Sequence, residues 1–425
     1  MSLRVMSNRR EVADKPLEDI VWTKLQTSLR NLTAIVRQKI SDLPDRTTMT
    51  DAQLRVAVDS AFADVAREHL SDVLPSEVNL LQRAVANEIL AFGPIQDLVD
   101  DRSVSEIMVN GSDHIWIEQS GVIVQTGRSF DSNEHLLRIV DRMLRTSGRR
   151  VDQASPMVDA RLEDGSRLNV VLPPLAVDGP AITIRKFRAE GFSMADLISL
   201  GTLSPQGAAF LGEAVNERLN ILVSGGTGTG KTTLLNVLSE FIGSDERVVT
   251  IEDAVELTPK MPNLVRLETR PPNAEGAGEV VVRDLVRNAL RMRPNRIIVG
   301  EVRGSETIDM LQAMNTGHEG SLSTVHANSP RDALRRVETM AILGGTDLPL
   351  RAIREQVASS IDLIVHLQRE PTGRRSVSLI TEVTGMEADL ISTADLFAKA
   401  PGESQLSATG LSSVRIGTRR GRVSK

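Results

Sequence analysis

Residues 225–232 read Gly-Gly-Thr-Gly-Thr-Gly-Lys-Thr and follow directly on the apolar run 220–223. This matches G-x-x-x-x-G-K-[ST], and the flanking pattern is the strand–loop–helix setting that such a loop requires. Glycines let backbone N–H groups turn inward around phosphate oxygens, and the following helix N-terminus adds partial positive charge. Gly225, Gly226, Thr227, Gly228, Thr229, Gly230, Lys231, Thr232 and Thr233 are therefore the expected phosphate-binding residues. Lys231 would contact the β- and γ-phosphates and the Thr232 hydroxyl would ligate Mg2+, so ATP and Mg2+ are the expected cofactors. The competing reading, an ordinary glycine-rich turn, does not account for the Lys-Thr pair or for the flanks.

The loop also constrains the fold around it. Downstream, strand-like segments at 248–251, 297–299, 320–325 and 363–367 alternate with helix-like ones at 280–292, 304–315, 330–341 and 351–360. That alternation implies an α/β domain, RecA-like, with a mostly parallel sheet and helices on both faces. In such sheets ligands bind at the C-terminal ends of the strands. Two strand ends there carry acids. The run Ile297-Ile298-Val299 ends in Gly300-Glu301, with glycine where a Walker B strand usually has Asp. Glu301 then has the position of a water-activating carboxylate. The strand 248–251 delivers Glu252, with Asp253 and Glu256 close behind. Glu301 and Glu252 are also the candidate Mg2+ ligands beside Thr232. Two of the six histidines, His318 and His326, lie eight apart in the hydroxyl-rich segment 316–329. The spacing is not a zinc-ligand spacing, which leaves a polar network near the γ-phosphate or plain strand-end polar residues.

Upstream, the chain divides again. An apolar seam Trp22, Leu25, Leu29, Leu32, Val36 marks a helix over 17–40, either one member of a small bundle or a docking helix. Further helices are expected at 51–70, with Asp51 as N-cap, and at 76–92. Short strands at 106–109, 115–117, 122–124, 167–172 and 182–185 surround a helix at 132–147 and read as a small mixed α/β domain. The expected organisation is a helical region 1–75, a mixed α/β domain 76–190, a P-loop domain 191–400 and a tail 401–425, with 188–193 as linker. The tail, with Arg415, Arg419, Arg420, Arg422 and Lys425, reads as basic and disordered.

Composition narrows the function classes. The net charge of −6 supplies no basic field for nucleic acid, so no nucleic-acid partner is expected. There is no cysteine, which removes disulfides and thiolate metal sites. Neither a signal peptide nor an apolar stretch of membrane-spanning length (about 18 residues) is visible. The expectation is a cytoplasmic protein that meets a membrane only through a partner.

Taken together, the phosphate loop, the segment Ile251-Glu252-Asp253-Ala254-Val255-Glu256, the run 297–303 and the segment 316–329 resemble the Walker A, Asp, Walker B and His boxes of the type II/type IV secretion ATPase superfamily. Within it, Leu267-Glu268-Thr269-Arg270-Pro271-Pro272-Asn273 and Arg291-Met292-Arg293-Pro294-Asn295-Arg296 look closest to the tight-adherence (Tad, CpaF-like) pilus assembly ATPases. So does Ser155-Pro156-Met157-Val158-Asp159-Ala160-Arg161 followed by Asp164-Gly165-Ser166-Arg167. The resemblance covers roughly residues 85–390. It implies a homo-hexamer at the inner face of the cytoplasmic membrane, ATP held between two domains of each subunit, and an inner-membrane pilus platform protein as partner. It also implies that Arg167 and Arg185 reach the nucleotide and that Arg270 stabilises charge at a subunit interface. The chain departs from type II members in lacking their cysteine-built zinc module. The alternatives are a type IV secretion traffic ATPase, which would differ in its partner, and a nucleotide-binding regulator with little turnover, against which Glu301 argues.

Overall fold

The structure, a computed structural model, describes residues 17–417 apart from 44–45, 120, 188–190, 271, 273–276, 346–347, 371, 401–402 and 404. It forms two compact units, Met1–Arg188 and Ala189–Lys425.

The first unit opens with helices α1 (Leu17–Ser41), α2 (Asp51–His69) and α3 (Pro75–Leu90). Leu29, Leu32, Val36 and Ile40 of α1 pack on Val58, Phe62 and Val65 of α2 and on Leu81 and Val85 of α3. The apolar seam is thus spent inside a bundle over this stretch; the side chains of Trp22 and Leu25 lie outside the described residues. Helix α2 is capped by Thr50, not Asp51: the Thr50 hydroxyl accepts from the Gln53 amide while the Gln53 side chain accepts from the Thr50 amide. After α4 (Gln96–Asp100) come β1 (Val104–Asn110), β2 (His114–Gln119), β3 (Val122–Gln125), α5 (Asn133–Leu144), β4 (Met157–Arg161), β5 (Arg167–Val171) and β6 (Ala181–Arg185). The strands form one antiparallel sheet in the order β3-β2-β1-β6-β5-β4. In β5 and β6 alternate residues are buried: Leu168, Val170, Ile182 and Ile184 join Leu136, Ile139, Val140 and Met143 of α5 in the core. This is the one-sided alternation of a sheet with a single covered face. Arg167, Asn169, Thr183 and Arg185 occupy the other face and are exposed.

The second unit contains α6 (Met194–Ser199), α7 (Pro205–Asn216), β7 (Ile221–Gly225), α8 (Lys231–Ser239), β8 (Val248–Glu252), β9 (Leu264–Glu268), α9 (Val282–Ala289), β10 (Arg296–Val299), α10 (Glu306–Asn315), β11 (Leu322–His326), α11 (Pro330–Leu343), α12 (Leu350–Ser360), β12 (Leu363–Arg369), β13 (Arg375–Glu387), β14 (Leu390–Ala398) and β15 (Ser407–Ala408). The sheet order is β15-β14-β13-β12-β7-β11-β10-β8-β9. Strands β12, β7, β11, β10, β8 and β9 pair in parallel, and β13, β14 and β15 add antiparallel pairs at one side. Successive residues enter opposite cores. Ile221, Val223, Ile298, Leu363 and Val365 join α7 and α8, whereas Leu222, Ile297, Val299 and Ile364 join α9 to α12. Burial on both faces explains why these strands read as unbroken apolar runs.

The segment after residue 400 departs from the disordered tail expected of it. Glu382 on β13 is only 1% exposed, and its carboxylate accepts from the amides of Val414 (3.0 Å) and Arg415 (3.1 Å) and from the Ser413 hydroxyl. Arg415 also reaches the carbonyls of Val383 and Ala358 and lies 3.5 Å from Asp362. A buried acid needs such partners, and this one holds residues 413–415 in place. Arg419, Arg420, Arg422 and Lys425 lie outside the described residues. No described helix is long and apolar enough to cross a membrane.

Candidate active site

Parallel pairing brings five strand ends to one edge of the second sheet. Leu367 of β12 and His326 of β11 both stand opposite Gly225 of β7. Val299 of β10 stands opposite Ile251 of β8, so Glu301 and Glu252 fall at the same edge. The loop from β7 to α8 lies along it. Gly225, Gly228 and Gly230 have positive φ, and a Cβ on Gly225 would come within 2.6 Å of the Leu367 carbonyl oxygen. Only glycine fits there. Thr229 Oγ1 and Lys231 Nζ both donate to the Gly226 carbonyl, at 2.9 and 2.8 Å, which fixes the loop's curl.

Glu301 sits between a guanidinium and an imidazole. Its Oε2 accepts from Arg303 at 2.9 Å and its Oε1 lies 3.1 Å from His326 Nε2. Burial alone would raise its pKa, but the Arg303 hydrogen bond and the charges of Arg303 and Lys231 outweigh it, and the pKa falls below the ordinary value. Glu301 is therefore an ionised carboxylate at neutral pH. Burial and the nearby Lys231 charge lower the His326 pKa, which favours a neutral imidazole. The backbone is held from both sides: the Gly300 amide donates to Ile251, the Val302 amide donates to Thr324, and the Thr324 hydroxyl donates to the Gly300 carbonyl.

Glu252 is a different kind of acid. It is 4% exposed. Its Oε1 accepts from the amides of Glu256 (2.9 Å) and Leu257 (3.0 Å), while its Oε2 is buried without a partner. Burial drives its pKa to about 7 against those two hydrogen bonds. The glycine in the usual Asp position now has a reason: a Cβ on Gly300 would lie 2.8 Å from Glu252 Cγ. The carboxylate of β8 fills the space that a side chain on residue 300 would need.

An unpartnered carboxylate oxygen at the same edge of the sheet as a phosphate loop suits a divalent cation. Among the described residues no three His, Asp or Glu side chains gather into a metal cage. Mg2+ does not need one, since it keeps waters and takes one or two protein oxygens plus phosphate. Thr232, half-buried at the start of α8, and Glu252 are the residues that fit it.

The family model described as type II/IV secretion system protein matches residues 88–411. The chain belongs to this family. A conjugal transfer protein of Mycobacterium tuberculosis (strain H37Rv) is 40% identical over 311 residues, which cover 72% of this chain and 88% of the relative. The type IV secretion system protein VirB11 of Bartonella quintana is 31% identical, with 68% and 91% covered. A crystal structure of the pilus retraction motor PilT with bound ADP aligns with a TM-score of 0.50 at 19% identity, covering 78% of this chain and 86% of that one, a likeness of fold. With its phosphate loop and acidic strand ends, this member of the secretion family is an ATPase.

The secretion ATPase does not gather every residue that its sequence suggested. His318 precedes β11, at the edge of the sheet opposite the phosphate loop, where its Nδ1 lies 3.3 Å from the Ala313 carbonyl. A strand of about 3.3 Å per residue separates it from His326. Arg270 follows β9 on the outermost parallel strand, exposed, with its Nε donating to Gly278 at 2.7 Å. Arg167 and Arg185 stand directly opposite each other on β5 and β6 in the first unit, and Arg185 lies 3.8 Å from Glu106. Conversely, three arginines were not anticipated. Arg303 clasps Glu301, and its place two residues on was the available signal. Arg369 at the end of β12 and Arg375 at the start of β13 approach the phosphate loop: a Cβ on Gly228 would be 3.6 Å from Arg369 Nη1 and one on Gly230 3.7 Å from Arg375 Cδ.

Proposed function

We infer that this ATPase is a homo-hexameric motor that powers assembly of a Tad-type pilus from the inner face of the cytoplasmic membrane, acting through an inner-membrane platform protein. The observation that carries the motor reading is Glu301, ionised and held by Arg303 and His326 beside Lys231. In the proposed mechanism the loop amides and Lys231 grip the β- and γ-phosphates, and Thr232 and Glu252 hold Mg2+, which when bound neutralises charge on the transferring phosphoryl group. Glu301 orients and deprotonates the attacking water, with His326 and Arg303 fixing its carboxylate. Arg270 and the Arg167–Arg185 pair supply guanidinium charge to the phosphates in the assembled ring. The pilus assignment rests on the segments 155–167, 267–273 and 291–296.

The second reading, a type IV secretion traffic ATPase, is favoured by the conjugal transfer and VirB11 relatives. Affinity purification of the tagged chain from solubilised membranes distinguishes the two. Recovery of a polytopic pilus platform protein supports pilus assembly; recovery of a secretion-channel or coupling component instead overturns it. Mass measurement of the purified particle should give six times the 46.3 kDa chain, and a stable dimer would refute the ring.

A further inference from the structure

The first unit carries a cluster of positive charge that the ATPase chemistry does not use. A cleft of about 170 Å³ is lined by Arg30, Thr33 and Arg37 of α1, Glu88 of α3, and Asp131 and Arg138 at and beyond the start of α5. Its two acids are already matched. Asp131 is ion-paired with Arg30, and Glu88 Oε2 lies 2.9 Å from His135 Nε2. The Asp131 amide donates to His135 Nδ1, so the imidazole proton resides on Nε2 and points at Glu88. Arg37 and Arg138 have no ion-pair partner among the described residues; Glu134, one turn before Arg138, feels its charge without pairing with it.

Further cations crowd the same place. Arg142, one turn after Arg138, donates to the carbonyls of Glu88 and Ala91. Burial lowers its pKa, and repulsion from Arg37, Arg145 and Arg138 lowers it further against the opposing charge of Glu88. Guanidinium groups cannot relieve repulsion by losing a proton, so their convergence raises the energy of the empty cleft. The Thr33 hydroxyl in the cleft lining is buried, 7% exposed, and has no hydrogen-bond partner. Two forked, exposed guanidiniums from different helices beside an unused hydroxyl match a tetrahedral oxyanion with several acceptor oxygens.

We propose that this cleft between α1, α3 and α5 binds a phosphate group, carried either by a soluble phosphomonoester or by an anionic lipid headgroup. Arg37 and Arg138 clasp the oxygens and Thr33 donates to one of them. The site is distinct from the phosphate loop, and its failure would leave the ATPase reading untouched.

The test uses the full chain saturated with Mg-ADP, so that the phosphate loop is filled. Glycerol 3-phosphate is titrated by calorimetry, and vesicles of phosphatidylcholine with and without phosphatidylglycerol are tested by flotation. The Arg37→Ala/Arg138→Ala double variant should bind at least tenfold more weakly in whichever arm the wild type responds. Binding of glycerol 3-phosphate identifies a soluble ligand; binding to phosphatidylglycerol vesicles alone identifies the headgroup. Arg37→Gln, at an exposed position outside the packed core, should weaken binding severalfold and guards against misfolding of the double variant. No binding in either arm, or equal binding by the wild type and both variants, overturns the proposal.

Discussion

Glu252 should make the nucleotide-free protein lose stability as the pH rises toward neutrality. Its carboxyl has a pKa of about 7 in the fold against 4.5 when unfolded. Between those values the folded chain holds a proton that the unfolded chain releases, so stability falls with rising pH across the window from 4.5 to 7. The stabilisation is fully present below 4.5 and gone above 7. At 1.36 kcal/mol per pH unit, the gap of roughly 2.5 corresponds to a loss on the order of 3 kcal/mol. Glu252→Gln keeps an oxygen to accept from the Glu256 and Leu257 amides but cannot ionise. Urea unfolding of both proteins from pH 4.5 to 8, with EDTA and no nucleotide, measures the difference. The variant should gain on the wild type by about that amount across the window. Parallel stability curves would mean that the Glu252 carboxyl is not a buried, half-satisfied group.

Gly300→Ala should lower turnover far more than its single methyl suggests, since the new Cβ would lie 2.8 Å from Glu252 Cγ; a steady-state phosphate-release assay with wild-type kcat would contradict the close approach. Arg296 is 1% exposed and grips Glu246 through Nε (2.9 Å) and Nη2 (2.7 Å). Arg296→Leu leaves Glu246 only the half-exposed Arg218, 3.1 Å from its Oε2, and should cost about 1–3 kcal/mol in chemical unfolding; Arg296→Leu/Glu246→Leu should recover most of it.

What the sequence disclosed follows the physics of each element. Strands β7, β8, β10 and β11 are buried on both faces, so their apolar runs were plain, and parallel pairing then dictated that Glu252, Glu301 and His326 share an edge. The β13–β14 hairpin went unseen because Ser, Thr and Glu, several of them buried, interrupt its apolar residues and leave no apolar run like those that mark the other strands. The packing of residues 413–415 depends on Glu382, which lies far back in the chain, and no local composition reveals such a contact. His318 misled because eight residues of separation span a whole strand: they place one histidine at each edge of the sheet. Arg369 and Arg375 approach the loop only because β12 is the neighbour of β7, and strand order is not written in spacing.

In the proposed reaction Glu301 activates water, while the phosphate loop binds ATP independently of it. Glu301→Gln tests this most directly, with ATP binding by equilibrium fluorescence and single-turnover phosphate release measured on one preparation. ATP affinity should stay near normal while release slows on the order of 10²–10⁴-fold. Wild-type phosphate release by Glu301→Gln would contradict that role for Glu301.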